Sequence, residues 1–165
     1  MKHTIAILVE DLPGVMARVA GLFTRRGFNI ESIAVGHSEI PGISRMTIIV
    51  SGDEKVLEQI IKQLNKLIDV IRVRDIPAEN IIERELVLVR VHVDSLPVRS
   101  EIIQLVEIFT AKVVFVERNT MTIEMSGDEE KVGGFLNLLK PFGIREIVRT
   151  GRIAITRSSK NGLKV

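Results

Sequence analysis

The chain has 165 residues, a formal net charge of +2, 45% hydrophobic and 4% aromatic residues, and no Trp, Tyr or Cys. That length suits one medium domain or two small ones with aliphatic cores, and so small a net charge does not point to a polyelectrolyte partner. Without cysteine there are no disulfides or thiolate metal sites, and no apolar run approaches the roughly 18 residues that span a membrane. Met1-Lys2-His3-Thr4 leads straight into a strand pattern with no signal peptide ahead of it, so the expected location is cytoplasmic.

Ile5 to Val9 alternates and is β-branched enough for a strand. Val15, Val19, Leu22 and Phe23 then fall on one face of a helix, with Arg18, Arg25 and Arg26 off it and Gly27 as its stop. Phe28 to Val35 and Arg45 to Val50 read as strands joined through Pro41-Gly42. Ser51 or Asp53 caps the next helix, which turns Val56, Ile60, Ile61, Leu64 and Leu67 inward, and Val70 to Ile76 closes the unit as a strand.

The pattern then repeats. Met46-Thr47-Ile48-Ile49-Val50-Ser51-Gly52-Asp53-Glu54 returns 75 residues later as Met121-Thr122-Ile123-Glu124-Met125-Ser126-Gly127-Asp128-Glu129, identical at seven of nine positions. Leu12-Pro13 returns as Leu96-Pro97 at an offset of 84, so the second copy is nine residues (84 − 75) shorter between the two marks. Glu85 to Val93 is a strand, Val98 to Phe109 a helix, Lys112 to Glu117 and Met121 to Met125 a strand pair, and Asp128 opens a helix ending near Lys140-Pro141. Gly143 to Val148 and Ile153 to Ile155 are strand-like. Each copy is therefore βαββαβ, and the fold class is α+β, two ferredoxin-like modules in tandem. The expected boundaries are a first domain over 1–77, a linker over 78–83, a second domain over 84–157 and a basic tail over 158–165. In the tail region Arg149, Arg152, Arg157, Lys160 and Lys164 follow Glu146 with no acid between them. They read as a solvated basic end, or alternatively as a docking surface for an acidic patch. A module of this size leaves one sheet face bare, which predicts a homodimer or a permanent complex.

The segment that carries chemistry is Val9-Glu10-Asp11-Leu12-Pro13-Gly14-Val15-Met16-Ala17-Arg18-Val19, a strand-to-helix junction with glycine at the first helical turn. The first N–H groups of a helix have no partner within it, and without a Cβ at Gly14 a small anion can approach them. Arg25-Arg26-Gly27-Phe28-Asn29-Ile30-Glu31-Ser32 comes one helix later and is expected to return beside the junction, making a pocket for a small carboxylate. Each residue also has a plainer role: Gly14 permits a tight turn, Asp11 is a turn residue, and Asn29 caps the preceding helix. Val98 stands where the first copy has Gly14, so the second module lacks the anion site and is expected to serve in docking.

The Leu-Pro-Gly-Val turn, Arg18-Val19, Gly27 through Ser32, Ser44-Arg45-Met46-Thr47-Ile48 and Gly52-Asp53-Glu54 through Val70 resemble the ACT domain of the small regulatory subunit of acetolactate (acetohydroxyacid) synthase. The second half resembles that family's C-terminal domain more loosely. The resemblance implies a subunit without an active site, one that activates a large catalytic subunit and confers feedback inhibition by valine or another branched-chain amino acid. Thiamine diphosphate, magnesium and FAD are then expected in the catalytic subunit, with no cofactor or metal in this chain. The resemblance further implies ACT domains paired side by side into a homodimer, with effector sites at their seam. By position, Asp11, Leu12 and Pro13 form the turn, and Gly14, Val15 and Met16 present backbone N–H groups to the effector carboxylate. Asn29 comes from the facing chain, and Ile30, Ile33, Ala34 and Val35 supply apolar wall. The family often has Asn where this chain has Asp11, which adds a negative charge near the ligand.

Other readings have less behind them. His3, His37 and His92 are scattered, and none has a second ligand at metal spacing. His92, Asp94 and Ser95 lie together at a strand end without the constellation of a triad. RNA binding on such a sheet needs exposed aromatics on the central strands, and the strands offer only Phe28 and Phe115. A free-standing ACT-type amino-acid sensor controlling another protein or transcription would have the same pocket and a different partner.

Overall fold

The computed structural model describes residues 1–158. Within them lie nine strands and four α-helices: β1 (Lys2–Glu10), α1 (Val15–Arg26), β2 (Ile30–His37), β3 (Ile43–Ser51), α2 (Glu54–Leu64), β4 (Val70–Ile76), β5 (Ile81–His92), α3 (Leu96–Ile108), β6 (Lys112–Val116), β7 (Thr120–Gly127), α4 (Glu129–Leu139), β8 (Ile144–Arg149) and β9 (Ile153–Thr156). None of these helices is long and apolar enough to cross a membrane. Both repeats fold as βαββαβ, with antiparallel strand orders β2-β3-β1-β4 and β6-β7-β5-β8.

The chain divides into two compact units. One is Met1–Ile82 joined by the described residues from Arg152 onward, and the other is Glu83–Gly151. In the first unit the alternate residues Ile5, Ile7 and Val9 of β1 and Met46, Ile48 and Val50 of β3 face α1 and α2. Val15, Val19, Leu22 and Phe23 meet them from α1, as the helical periodicity predicts. On α2 the deepest residues are Leu57, Ile60 and Leu64, with Val56 and Ile61 at the margin, and Leu67, expected on this helix, packs from the turn beyond its end. The face is thus rotated by about one position from the one expected, because Leu57 takes the central row. The second unit packs Val87, Val89, Val91, Met121, Ile123 and Met125 against Ile102, Val106, Val132, Phe135 and Leu139, where Phe109 and Phe135 meet with ring centroids 5.2 Å apart.

The repeated Ser-Gly-Asp-Glu signature has the same mechanical role twice. Asp53 accepts the Val56 N–H at 2.9 Å, and Asp128 accepts the Lys131 N–H at 2.8 Å. Each satisfies one orphan donor at a helix start. Replacing Asp53 by Ala is expected to cost about 1 kcal/mol, read as a lower urea midpoint with an unchanged slope.

Three expectations are corrected. First, β5 begins at Ile81 and takes the end of the presumed linker into the sheet, after a 3-10 turn at Ala78–Asn80. Second, β9 pairs with β5, as a strand of the second module would, yet it also packs on the first unit. Ala154 is buried in one cluster with Ala6, Leu8 and Ile76, on the sheet face opposite the helices. Arg45 Nη2 donates to the Ala154 carbonyl at 2.8 Å, the Arg152 N–H donates to Ser32 Oγ at 3.1 Å, and the Arg157 N–H donates to the Asn80 carbonyl at 3.0 Å. The face expected to be bare is therefore partly covered by the chain's own later segment. Third, the basic end is not simply solvated. Arg149 pairs with the buried Glu85 at 3.2 Å, Arg152 is buried, and Arg157 Nε donates to the Ile81 carbonyl at 3.1 Å. Lys160 and Lys164, with nearly all of the expected tail, lie outside the described residues.

Candidate functional site: the turn between β1 and α1

β1 ends at Glu10, and the chain turns through Asp11 to Gly14 before α1 starts at Val15. Gly14 is the N-cap with φ 86° and ψ −8°, and no side chain caps the helix. L-residues pay to adopt this left-handed conformation, so the turn itself demands glycine. The Val15 N–H bends back to the Leu12 carbonyl at 3.3 Å, and the Arg18 N–H makes the first helical bond to the Gly14 carbonyl at 3.0 Å. The Gly14, Met16 and Ala17 N–H groups have no partner among the described residues. Three donors and the positive end of α1 are thereby offered to an external acceptor. The second module differs here: Ser95 caps α3 by accepting the Val98 N–H, and Pro97 sits in the first turn.

Leu12, Pro13, Gly14 and Met16 are all exposed at this turn, whereas the Val15 side chain is buried in the core and leaves only its backbone to the site. Asp11 is exposed, its N–H donates to the Gly42 carbonyl at 2.9 Å, and its carboxylate lies 3.2 Å from His37 Nδ1. Arg18 is a member of the site that the sequence reading left out. Its Nε donates to Asp69 Oδ2 at 2.5 Å, and that bond raises the guanidinium pKa above its ordinary value. The Asp69 side chain is only 8% exposed, and its carbonyl accepts the Glu10 N–H at 2.9 Å. The pair spans 51 residues and gives no local sequence signal.

Asn29 does not return beside the turn within one chain. α1 runs away from Gly14, and β2 runs back, so the end of β2 at His37 reaches Asp11. Asn29 stands eight residues earlier, about 26 Å along an extended strand. Nor does it cap α1. Gly27 takes φ 69°, its N–H bonds to Thr24, and the Phe28 N–H reaches the Phe23 carbonyl at 3.0 Å, a complete Schellman closure. Asn29 is left exposed. Of the expected wall, Ile30 and Ile33 pack against the helix-side core, and Val35, 45% exposed, lies on the same face opposite Met46. Ala34 pairs with Thr47 and faces the other side of the sheet. Phe28 packs edge-to-face on Phe23 at 6.5 Å, and Phe115 lies on the outer strand β6, so no aromatic stacking platform stands on the central strands. No group of three or more His, Asp or Glu suited to a metal occurs among the described residues.

A βαββαβ module with an uncapped glycine turn after its first strand, followed by a second βαββαβ module without that turn, defines an ACT-domain protein of tandem ferredoxin-like architecture. Residues 5–72 match the profile of the small-subunit-like ACT domain of acetohydroxyacid synthase, and residues 84–158 match that of the small subunit of acetolactate synthase. The chain belongs to the acetolactate synthase small-subunit family. It is 58% identical to a probable acetolactate synthase small subunit of Methanothermobacter thermautotrophicus, covering 96% of this chain and 94% of that one. It is 49% identical to the acetolactate synthase small subunit of Mycobacterium leprae, covering 96% and 93%. The crystal structure of the small subunit from Thermotoga maritima superposes with a TM-score of 0.89 at 48% identity, covering 96% and 99%.

Proposed function

We propose that this chain is a cytoplasmic, non-catalytic regulatory subunit. It binds the large catalytic subunit of acetolactate synthase, raises its activity, and makes it sensitive to valine or another branched-chain amino acid. The observation that carries the effector reading is the set of unpartnered amides at Gly14, Met16 and Ala17 beside an outer strand of the same sheet. The amides take the carboxylate, which is the group all amino acids share. Exposed Leu12 and Met16 offer apolar surface to a branched side chain.

The site is completed by a second copy. β2 is the outer strand of its sheet and has an open ladder edge. Antiparallel pairing of two β2 strands about a two-fold axis near Ile33 brings residues whose numbers sum to 66 opposite one another. Asn29 of a second copy then comes level with His37, and so with Asp11 and the turn. That is how a residue remote from the turn in one chain serves it in a homodimer. Valine binding at such a seam favours one dimer geometry and shifts its population, and a coupling of about 1–3 kcal/mol suffices for regulation.

The deciding experiment is calorimetric titration of the purified chain with valine, leucine and isoleucine, with and without the large subunit. Saturable binding of at least one is expected, and no binding of any under either condition would overturn the reading. Asn29→Ala is expected to weaken valine binding by about 1 kcal/mol, roughly fivefold, since it removes one hydrogen bond and leaves the turn intact.

A further inference from the structure

The first turn of α1 contains no acidic residue, and Arg18 one turn in carries a positive charge at the helix end where a cation is least favoured. Its guanidinium does not swing away into solvent. Asp69, buried and anchored by its own carbonyl to Glu10, holds Nε at 2.5 Å. In that position Nη1 lies 3.1 Å from the point a Gly14 Cβ would occupy. The guanidinium therefore stands directly beside the turn whose Gly14 and Met16 amides are unpartnered. Cationic and amide donors repel one another when nothing lies between them, and an anion at the turn reverses the sign of that interaction.

We infer that Arg18 is a specificity-determining residue of the effector turn, selecting a ligand with a full negative charge, and that Asp69 is the positioning residue that aims it. The inference rests on the effector site proposed above and names what makes that site discriminate carboxylates from neutral amides. A carboxylate receives a charge-assisted bond from the guanidinium that a carboxamide cannot match. Burial of Asp69 matters because a guanidinium fixed in advance loses less freedom when the ligand binds.

The test compares valine with valinamide, its neutral carboxamide, by calorimetry on the full chain. Wild type is expected to prefer valine. Arg18→Met should weaken valine about tenfold or more and leave valinamide nearly unchanged, so that the preference collapses. Arg18→Lys, which keeps the charge without the fork, should restore part of the preference. Asp69→Asn should give an intermediate loss. If Arg18→Met unfolds because Asp69 is left as a buried orphan, the double variant R18M/D69N removes both charges and is measured instead. A purely structural role for the pair would weaken both ligands alike. An unchanged valine-to-valinamide ratio in Arg18→Met, or in the double variant, overturns the inference while the effector site stands. Wild type that binds neither ligand removes both.

Discussion

Gly14→Asp is expected to weaken valine binding about 100-fold or more, because two charge-assisted hydrogen bonds at roughly 1.5 kcal/mol each amount to two decades of affinity. The variant acts in two ways. The left-handed φ of 86° at Gly14 strains any side chain there, at a cost of about 1–2 kcal/mol, less for Asp than for most residues. The larger effect is chemical. A carboxylate on residue 14 would sit beside Arg18 and the vacant amides, at an effective concentration no free amino acid reaches. It would act as a tethered mimic of the effector's own acid group. Gly14→Ala separates the two effects, since it has the strain without the charge and its Cβ displaces Arg18 Nη1 by only a few tenths of an ångström. Ala should therefore lower the melting temperature at least as much as Asp while losing less affinity. In the reconstituted enzyme, Asp should abolish feedback inhibition and largely spare activation. Calorimetry showing wild-type valine affinity for Gly14→Asp would refute both the carboxylate position and the role of the amides.

How much of this was legible in the sequence follows from the range of each interaction. The duplicated Met-Thr-Ile and Ser-Gly-Asp-Glu marks fix β3 to α2 and β7 to α4, because both alternation and capping are written within nine consecutive residues. Gly14 was legible for the same reason: a turn between a strand and a helix states its own backbone demand. The segment from Arg25 to Ser32 was expected to return beside the junction, and within one chain it does not; the family resemblance instead brings Asn29 from the facing chain. Adjacency across one helix says nothing about which end of a sheet a residue reaches, and twelve helical residues carry the chain about 18 Å away. The Arg18–Asp69 pair could not be read at all, since its members are 51 residues apart and each looks like an ordinary surface charge, one on a helix and one in a turn. The destination of β9 was hidden similarly. Its four residues declare a strand, but nothing in them says which sheet face they cover.

That destination sets up the second large effect. Ala154 is 4% exposed and packs with Ala6, Leu8 and Ile76, whereas Ile155, one residue on, is 54% exposed. Ala154→Asp would place a carboxylate in an apolar cluster whose nearest cation, Arg45, already donates to the Ala154 carbonyl. A charge pressed among apolar side chains with only a shared partner is destabilising, about 1–3 kcal/mol, a large share of the roughly 5–15 kcal/mol that holds a domain together. Ile155→Asp is the control: on the outward side of the same strand it is expected to fall within about 0.5 kcal/mol of wild type. Urea unfolding gives the magnitude, and amide exchange gives the place. If β9 belongs to the first unit, Ala154→Asp should strip protection from the amides of β1, whose Ala6 and Leu8 form the other wall of the cluster. Protection lost only within residues 83–151 would return this strand to the second module and restore the boundary at residue 157. The experiment also bears on regulation. The Arg152 N–H is bonded to Ser32 on β2, the strand proposed to form the effector seam. A strand end torn loose by the buried charge should therefore disturb valine binding from the far side of the sheet, without touching the turn that holds the ligand.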